Sequence, residues 1–354
     1  MSLLTDFSGG GSGGYAIAEW GEYDNTKYME VDQTSIIKPT LIGEWTYKSP
    51  MPVAADSVSA VAISSDDYLV LIDGTMYRYT PSVDTFTEDT NYTLTHHHGT
   101  HMVVYNDGVG DFVYIFGGYG ADNVALDLYS VFDVTNGTYT DNGSMLLGTL
   151  VRSSACMSVS EGGSFIYIYG GLINDVISGS LWAYDIVENT FSEITGGEVS
   201  IIISPRFNHF ITIYNDILYI FGGVDDQSIA VNTVLKFDTN NLALLPNAKS
   251  GGISGNIIGG FVDFGWVSIV SDGGVNFGYD INSEIFYKRS NAFYDVSALE
   301  TPYKTIFNSF YTGSSRYGYV FGGRDGLNTT DNVRQFDNYA SSINQETKVL
   351  ISKV

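Results

Sequence analysis

The five residues Tyr114-Ile115-Phe116-Gly117-Gly118 recur along the chain and decide its fold. The apolar run is too short for a stable helix and is β-branched or aromatic at nearly every position, which is typical of a buried strand. The two glycines can adopt positive φ and allow close backbone approach where the strand turns. Close copies cover residues 167–171, 219–223 and 319–323, and weaker copies end at Gly74 and Gly274.

The spacing of these copies predicts the architecture. Their last glycines are separated by 44 to 53 residues, which leaves room for several strands in each repeat. A strand buried on both faces needs neighbours on both sides, and blades that pack radially supply them. We therefore expect an all-β chain that forms a β-propeller with six four-stranded blades.

A second signature follows each copy of the first. It is an aromatic residue that usually precedes an aspartate: Phe132-Asp133, Tyr184-Asp185, Phe237-Asp238, Tyr279-Asp280 and Phe336-Asp337, with Tyr79-Thr80 in the first repeat. Six residues after the Asp position comes a large apolar side chain: Phe86, Tyr139, Phe191, Leu244, Phe286 or Ile343. Each blade is thus expected to repeat one aromatic anchor and one anchor in its outer strand.

Together these features resemble the kelch-repeat family, whose propellers are similar to that of galactose oxidase. The resemblance covers roughly residues 41–354, although the family's outer tryptophan is replaced in all six copies. Residues 45–52 resemble the outer strand and connector that precede a blade, so an N-terminal strand is expected to close the ring. Residues 28–32 and 348–351 also resemble strands, which leaves a seventh blade open.

The N-terminal segment differs from the rest of the chain. Residues 8–14 consist of serine and glycine only and have the composition of a linker. We predict a flexible, Gly-rich segment over 1–40 and the propeller over 41–354. The segment is an engineered linker, a simple tail, or a tether to a larger assembly.

The composition restricts the partners. Forty acidic residues against sixteen basic ones give a net charge of −24, which repels nucleic acid and anionic lipid. Cys156 is the one cysteine, so no intramolecular disulfide forms. The chain shows neither a run of ~18 apolar residues nor a secretory start. We expect a cytoplasmic or virion-associated protein without membrane insertion.

The kelch resemblance also implies where a ligand binds. In such propellers the loops after the double glycines and the connectors between blades share one face. The implied ligand-binding residues are Tyr119, Asp122, Asp175, Asp225, Asp226, Arg324 and Asp325 in the loops and Arg152, Arg206 and His209 at inner-strand starts. Arginine and histidine in these positions have a structural alternative, because buried polar groups also need hydrogen-bond partners. We expect no cofactor, with calcium on the loop carboxylates as the alternative.

Four of the five histidines lie within residues 96–101. If this stretch is extended, His96 and His98 share a face, because side chains alternate along a strand. Two imidazoles on one face could bind a transition metal. No second cluster supplies further ligands, so a structural cluster is the alternative.

The sequence favours binding over catalysis. It contains no nucleophile elbow, phosphate loop or zinc signature, and no Tyr-His pair like that at the copper site of galactose oxidase. The main hypothesis is a non-enzymatic module that recognises a protein or glycan through its loop face, such as an attachment or structural protein of a phage or virus particle. The alternatives are an intracellular kelch scaffold for protein–protein interaction and a carbohydrate-active enzyme that uses channel carboxylates.

Overall fold

A computed structural model describes residues 3–6, 15–23, 26–32, 44–55, 57–145, 156–159, 165–173, 176–194, 203–248, 257–263, 266–271, 276–288, 306–308, 317–325, 328–337 and 348–352. Their regular elements are β-strands. Within these residues no helix is long and apolar enough to cross a membrane. The chain divides into a larger unit, Trp45–Phe336, and a smaller one that combines Met1–Glu44 with Asp337–Val354.

The smaller unit contains an antiparallel sheet made from both ends of the chain. Its strands, in the order in which they pair, are β1 (Leu3–Asp6), β2 (Tyr15–Tyr23), β3 (Thr26–Asp32) and the last strand of the chain, β32 (Lys348–Ser352). The strands predicted over 28–32 and 348–351 are confirmed, and they pair with each other. Residues 8–14 lie outside the described residues. The predicted division between residues 40 and 41 stays a prediction.

The larger unit is the expected six-bladed propeller. The first strand of this unit is β4 (Glu44–Lys48). Blade 1 then contains β5 (Ser59–Ser64), β6 (Asp67–Ile72), β7 (Thr75–Thr80) and β8 (Thr85–Glu88). Blade 2 contains β9 (His101–Asn106), β10 (Asp111–Phe116), β11 (Leu128–Asp133) and β12 (Thr138–Ser144). Blade 3 contains β13 (Cys156–Val159), β14 (Phe165–Tyr169), β17 (Leu181–Asp185) and β18 (Thr190–Glu193), with a small loop hairpin of β15 (Leu172–Ile173) and β16 (Val176–Ile177) between its second and third blade strands.

The other three blades follow in the same order. Blade 4 contains β19 (Phe210–Tyr214), β20 (Ile217–Phe221), β21 (Val234–Asp238) and β22 (Ala243–Ala248). Blade 5 contains β23 (Ile257–Asp263), β24 (Trp266–Ser271), β25 (Asn276–Asp280) and β26 (Ile285–Lys288). The segment of blade 6 contains β27 (Ile306–Asn308), β28 (Tyr317–Phe321) and β31 (Val333–Asp337), with a loop hairpin of β29 (Arg324–Asp325) and β30 (Asn328–Thr329) between β28 and β31. In blades 1 to 5 four strands pair in sequence order, and the first strands of neighbouring blades are adjacent.

Blade 6 departs from the expected four-stranded sheet. Its antiparallel sheet has three strands in the order β28-β31-β4, so the outer strand comes from the N-terminal side of the propeller. This pairing confirms the prediction that an N-terminal strand closes the ring. The short β27 instead pairs in parallel with β23 and β5, the inner strands of blades 5 and 1. Blades 5 and 1 are therefore joined through β27 into one nine-stranded sheet.

Side-chain contacts stabilise the position of β4 and of the residues that follow it. The Asp84 carboxylate accepts hydrogen bonds from the Ser49 N–H at 3.0 Å and from the Tyr79 hydroxyl at 2.7 Å. Partial burial opposes the charge on Asp84, but these hydrogen bonds outweigh it and lower its pKa. Next to them, the Trp45 ring of β4 packs 5.0 Å from the Phe336 ring of β31. The ring closure thus rests on side-chain contacts as well as on strand pairing.

The repeated aromatic anchors form the core. All six residues of the aromatic-Asp signature are buried: Tyr79, Phe132, Tyr184, Phe237, Tyr279 and Phe336. Four of them pack against the predicted outer-strand anchor of the same blade, as in the stacked pair Phe132–Tyr139 with ring centroids 4.1 Å apart. Leu244 departs from this pattern because it is 38% exposed, and Ile343 lies outside the described residues.

The double glycines lie close to the connectors, either the one that enters their own blade or the one that enters the next blade. A Cβ on Gly118 would approach the carbonyl oxygen of His98, in the connector that enters blade 2, to 2.6 Å. A Cβ on Gly170 would approach the carbonyl oxygen of Arg206, in the connector that enters blade 4, to 2.5 Å. Both glycines have positive φ, +83° and +61°. The glycine pair therefore lets two stretches of backbone pass close to each strand end.

Candidate ligand-binding face

Two ends of the propeller differ in how their loops are built. At one end, named here the loop face, residues 117–127, 170–180 and 222–233 connect the second strand of a blade to the third. The connectors between blades lie at this same end because antiparallel strands alternate in direction. At the opposite end, named the turn face, four-residue turns such as 134–137 connect the third strand to the fourth.

The carboxylates of the turn face are used by the turns themselves. The Asp133 side chain accepts hydrogen bonds from the backbone and side-chain amides of Asn136 at 2.9 and 2.7 Å, and these lower its pKa. Asp185, Asp238 and Asp280 accept equivalent hydrogen bonds two or three residues ahead. The aspartate of the repeated signature therefore forms an Asx-type turn. The repeated sequence pattern contains this aspartate but does not predict its role in the turn.

The loop face holds four of the predicted ligand-binding residues. Tyr119 lies at the base of its loop, where its ring stacks on the His98 ring with centroids 5.2 Å apart. Asp122 and Asp225 each accept backbone N–H groups of their own loop, from Val124 at 3.1 Å and from Ile229 at 2.8 Å. Asp226 is exposed. Their contact with a ligand, and calcium as that ligand, stay predictions.

Four other predicted residues have no described side chain. Arg324 and Asp325 form β29, which pairs with β30 in the loop of blade 6. The positions of their side chains are outside the description, as are Arg152 and Asp175 altogether.

Arg206 and His209 are buried at the base of the loop face. Arg206 is 2% exposed, and its guanidinium donates to the carbonyl oxygens of Gly222 and Thr233 at 3.1 and 3.3 Å and to the Thr233 hydroxyl at 3.0 Å. Burial lowers the pKa of this guanidinium. His209 is 1% exposed and packs on the Tyr169 ring. Both side chains hold the base of the loops, which is the structural alternative for these residues.

His96 is a buried histidine of the connector, and the His96–His98 metal pair stays a prediction. Its ring is 1% exposed, and Nδ1 donates to the Gly117 carbonyl oxygen at 2.8 Å. Nε2 lies 2.8 Å from Oγ of Ser130, whose hydroxyl donates to Asp141 Oδ1 at 2.6 Å. Burial lowers the pKa of His96. Both ring nitrogens thus have polar partners within the protein, and the residue whose ring lies beside His98 is His97.

The pKa of His96 predicts a loss of stability in mild acid. Because the pKa is lower in the folded protein, the unfolded chain takes up the proton first, near the ordinary pKa of about 6.5. The free energy of unfolding should therefore decrease as the pH falls below about 6.5, by at most about 1.4 kcal/mol per pH unit for this one ring. Urea unfolding between pH 7.5 and 5 measures the decrease.

Two variants separate His96 from the rest of the protein. His96→Gln should be less stable at pH 7.5 but should lose less stability on acidification than the wild type. Val103→Ala removes buried side-chain volume in the same blade without a titrating group, and it should keep the wild-type pH dependence. An unchanged pH dependence in His96→Gln would contradict the assignment.

Comparison with known proteins supports the architecture. Residues 99–253 match the model of the KLHDC2/KLHL20/DRC7 Kelch-repeats domain. The matched residues begin just before β9 and end just after β22, so they cover blades 2, 3 and 4. No curated protein matches the chain. Kelch-repeat domains typically act as non-enzymatic modules for protein interaction. This match shows kelch repeats in blades 2 to 4, and the larger unit as a whole is a six-bladed β-propeller.

Proposed function

We propose that the loop face of blades 2 to 4 binds a protein segment that carries basic and aliphatic side chains. The observation that carries this proposal is the repetition of one feature in three neighbouring loops. Val124 is 58% exposed, Val176 is 67% exposed and Ile229 is 56% exposed. Aliphatic side chains grouped on adjacent loops favour a protein partner, because apolar groups of the two proteins can be buried against each other.

The negative charge of the loop face indicates that the partner also carries basic side chains. Exposed Asp122 and Asp226 lie in the same loops as Val124 and Ile229. The chain carries a net charge of −24, so its field attracts positively charged partners and repels acidic ones. A segment with lysine or arginine beside aliphatic residues matches both features of the face.

The difference between the two ends of the propeller favours the loop face, rather than the turn face, as the binding surface. Valines are also exposed on the turn face, for example Val109 at 93% and Val187 at 74%. They lie in turns of only four residues, 107–110 and 186–189. The loops 117–127 and 222–233 are longer and differ in sequence between blades, as binding loops on a rigid framework do.

Those exposed valines supply a matched control for the experiment. Ligands for the purified full-length chain are first selected from a displayed peptide library, with a glycan array probed in parallel. The double variant Val124→Asp/Ile229→Asp should then weaken peptide binding about tenfold or more, the equivalent of about 1.4 kcal/mol. Val109→Asp/Val187→Asp adds the same charge on the turn face and should leave the Kd unchanged.

Three outcomes would overturn the proposal. The first is that the control pair of substitutions weakens peptide binding as much as the loop pair does. The second is that the loop pair has no effect on binding of the selected peptides. The third is that the chain selects no peptide but binds glycans, which would make the partner a carbohydrate rather than a protein.

A further inference from the structure

We propose that Asp73, His97 and His98 form a binding site for a divalent transition metal, with Zn²⁺ as the best-suited ion. Each residue offers one ligand atom, and these three atoms lie within 4.8 Å of one another. The inference stands apart from the proposed function, because it depends only on residues of blade 1 and of the connector into blade 2.

The two imidazoles have the spacing that tetrahedral zinc requires. Nδ1 of His97 lies 3.4 Å from Nδ1 of His98. With Zn–N bonds of about 2.0–2.1 Å, two ligands of a tetrahedral ion are about 3.3–3.4 Å apart. The ring centroids are 5.6 Å apart and the ring planes are inclined at 83°, so the two rings do not stack on each other.

Backbone contacts hold both histidines in place. The His97 carbonyl oxygen accepts from Gly74 N–H, and its own N–H donates to the Tyr119 carbonyl oxygen, both at 2.8 Å. Its ring lies so close to Gly74 that a Cβ there would come within 2.3 Å of Cδ2. The His98 ring is stacked on Tyr119. Ligands that are already oriented lose little entropy when they bind an ion.

Asp73 adds a carboxylate where other blades have no side chain. It occupies the position of the first glycine in the repeat, equivalent to Gly170 and Gly322, and it shares their left-handed backbone with φ of 43°. In blade 1 the whole loop between β6 and β7 is Asp73-Gly74. This short turn brings the exposed carboxylate of Asp73 beside the half-buried rings of His97 and His98.

The ligand set selects the class of metal. Imidazole nitrogens suit zinc, copper and nickel, whereas calcium and magnesium prefer oxygen ligands. Three protein ligands leave one tetrahedral position for water or an incoming group. Because Asp73 is exposed at the loop-face end of blade 1, this position is open to solvent.

Titration of the metal-free full-length chain with Zn²⁺, and with Co²⁺ as a spectroscopic probe, tests the site. We expect one saturable site per chain by calorimetry, a tetrahedral Co²⁺ spectrum without a thiolate band, and a higher unfolding temperature with Zn²⁺. His98→Gln and Asp73→Asn should each weaken binding at least about 10–100-fold, the loss typical even of a residue that only orients a ligand. Asparagine tolerates the left-handed backbone, so Asp73→Asn should fold normally.

Asp122→Asn, an exposed carboxylate of another loop, is the control and should bind Zn²⁺ like the wild type. The site is refuted if the wild type shows no saturable Zn²⁺ or Co²⁺ binding. It is also refuted if folded His98→Gln and Asp73→Asn bind as tightly as the wild type, or if a thiolate band places the ion on Cys156.

Discussion

Gly170→Ala is expected to lower the free energy of unfolding by about 2–5 kcal/mol, the sum of about 1–2 for a left-handed residue with a Cβ and about 1–3 for overpacking. The new Cβ would lie 2.5 Å from the Arg206 carbonyl oxygen and 2.8 Å from Cε1 of the buried His209 ring. That carbonyl also accepts the Gly171 N–H at 2.8 Å. The connector into blade 4 would have to move away from the strand end.

Gly137→Ala separates the two contributions. Gly137 has nearly the same backbone, φ +64° against +61° for Gly170, but a Cβ there would meet nothing within 4 Å. Its replacement should therefore cost only the left-handed penalty of about 1–2 kcal/mol. Urea unfolding compares the two variants. Equal losses would show that the double glycines serve backbone conformation alone and not the close approach of the connector.

Arg206→Met should cost about 2–4 kcal/mol and should loosen the loop that carries Ile229. Methionine keeps most of the apolar stem, so the change mainly removes the donors to the Gly222 and Thr233 carbonyl oxygens. These two residues are the ends of loop 222–233. We therefore expect Arg206→Met to become sensitive to limited proteolysis in this loop and to lose affinity for loop-face ligands.

Arg78→Met is the matched control. Arg78 is half-buried, pairs with Asp67 at 2.8 Å and lies over the Phe132 ring. Surface ion pairs of this kind contribute about 1 kcal/mol or less, so this variant should remain close to the wild type in denaturant unfolding. If both arginine variants lost the same stability, Arg206 would have no special role at the base of the loop.

Much of the fold could be predicted because it is repeated. The double glycines at residues 117–118 and the aromatic anchors such as Phe132 recur at blade spacing, so the number of blades followed from periodicity. Ring closure followed from the resemblance of residues 45–52 to the outer strand and connector of a blade. The parallel pairing of β27 could not be predicted. Its three residues, Ile306–Asn308, lack the repeated pattern, and they pair with blades 5 and 1 rather than with their own blade.

The site was harder to predict because burial depends on residues far along the chain. Arg206 is structural because Gly222 and Thr233, 16 and 27 residues later, present acceptors to it. Sequence gives no sign of which arginine will find such acceptors and which will reach solvent.

The histidine cluster shows a second limit. The alternation that predicted His96 and His98 on one face assumes an extended strand, but β9 begins only at His101. Residues 96–98 belong to the connector, where alternation does not apply, so His97 lies beside His98 and His96 is buried. Asp73 gave no signal at all, because Asp-Gly is a common turn sequence.

Hydrogen exchange of the chain with and without a selected peptide tests whether the loop face recognises a protein segment. We expect slower exchange of backbone amides in residues 119–127 and 224–233 when peptide is bound. The turn-face segments 107–110, 134–137 and 186–189 should exchange at unchanged rates. Protection confined to those turns, with the loops unchanged, would place the binding surface at the opposite end of the propeller and refute recognition by the loop face.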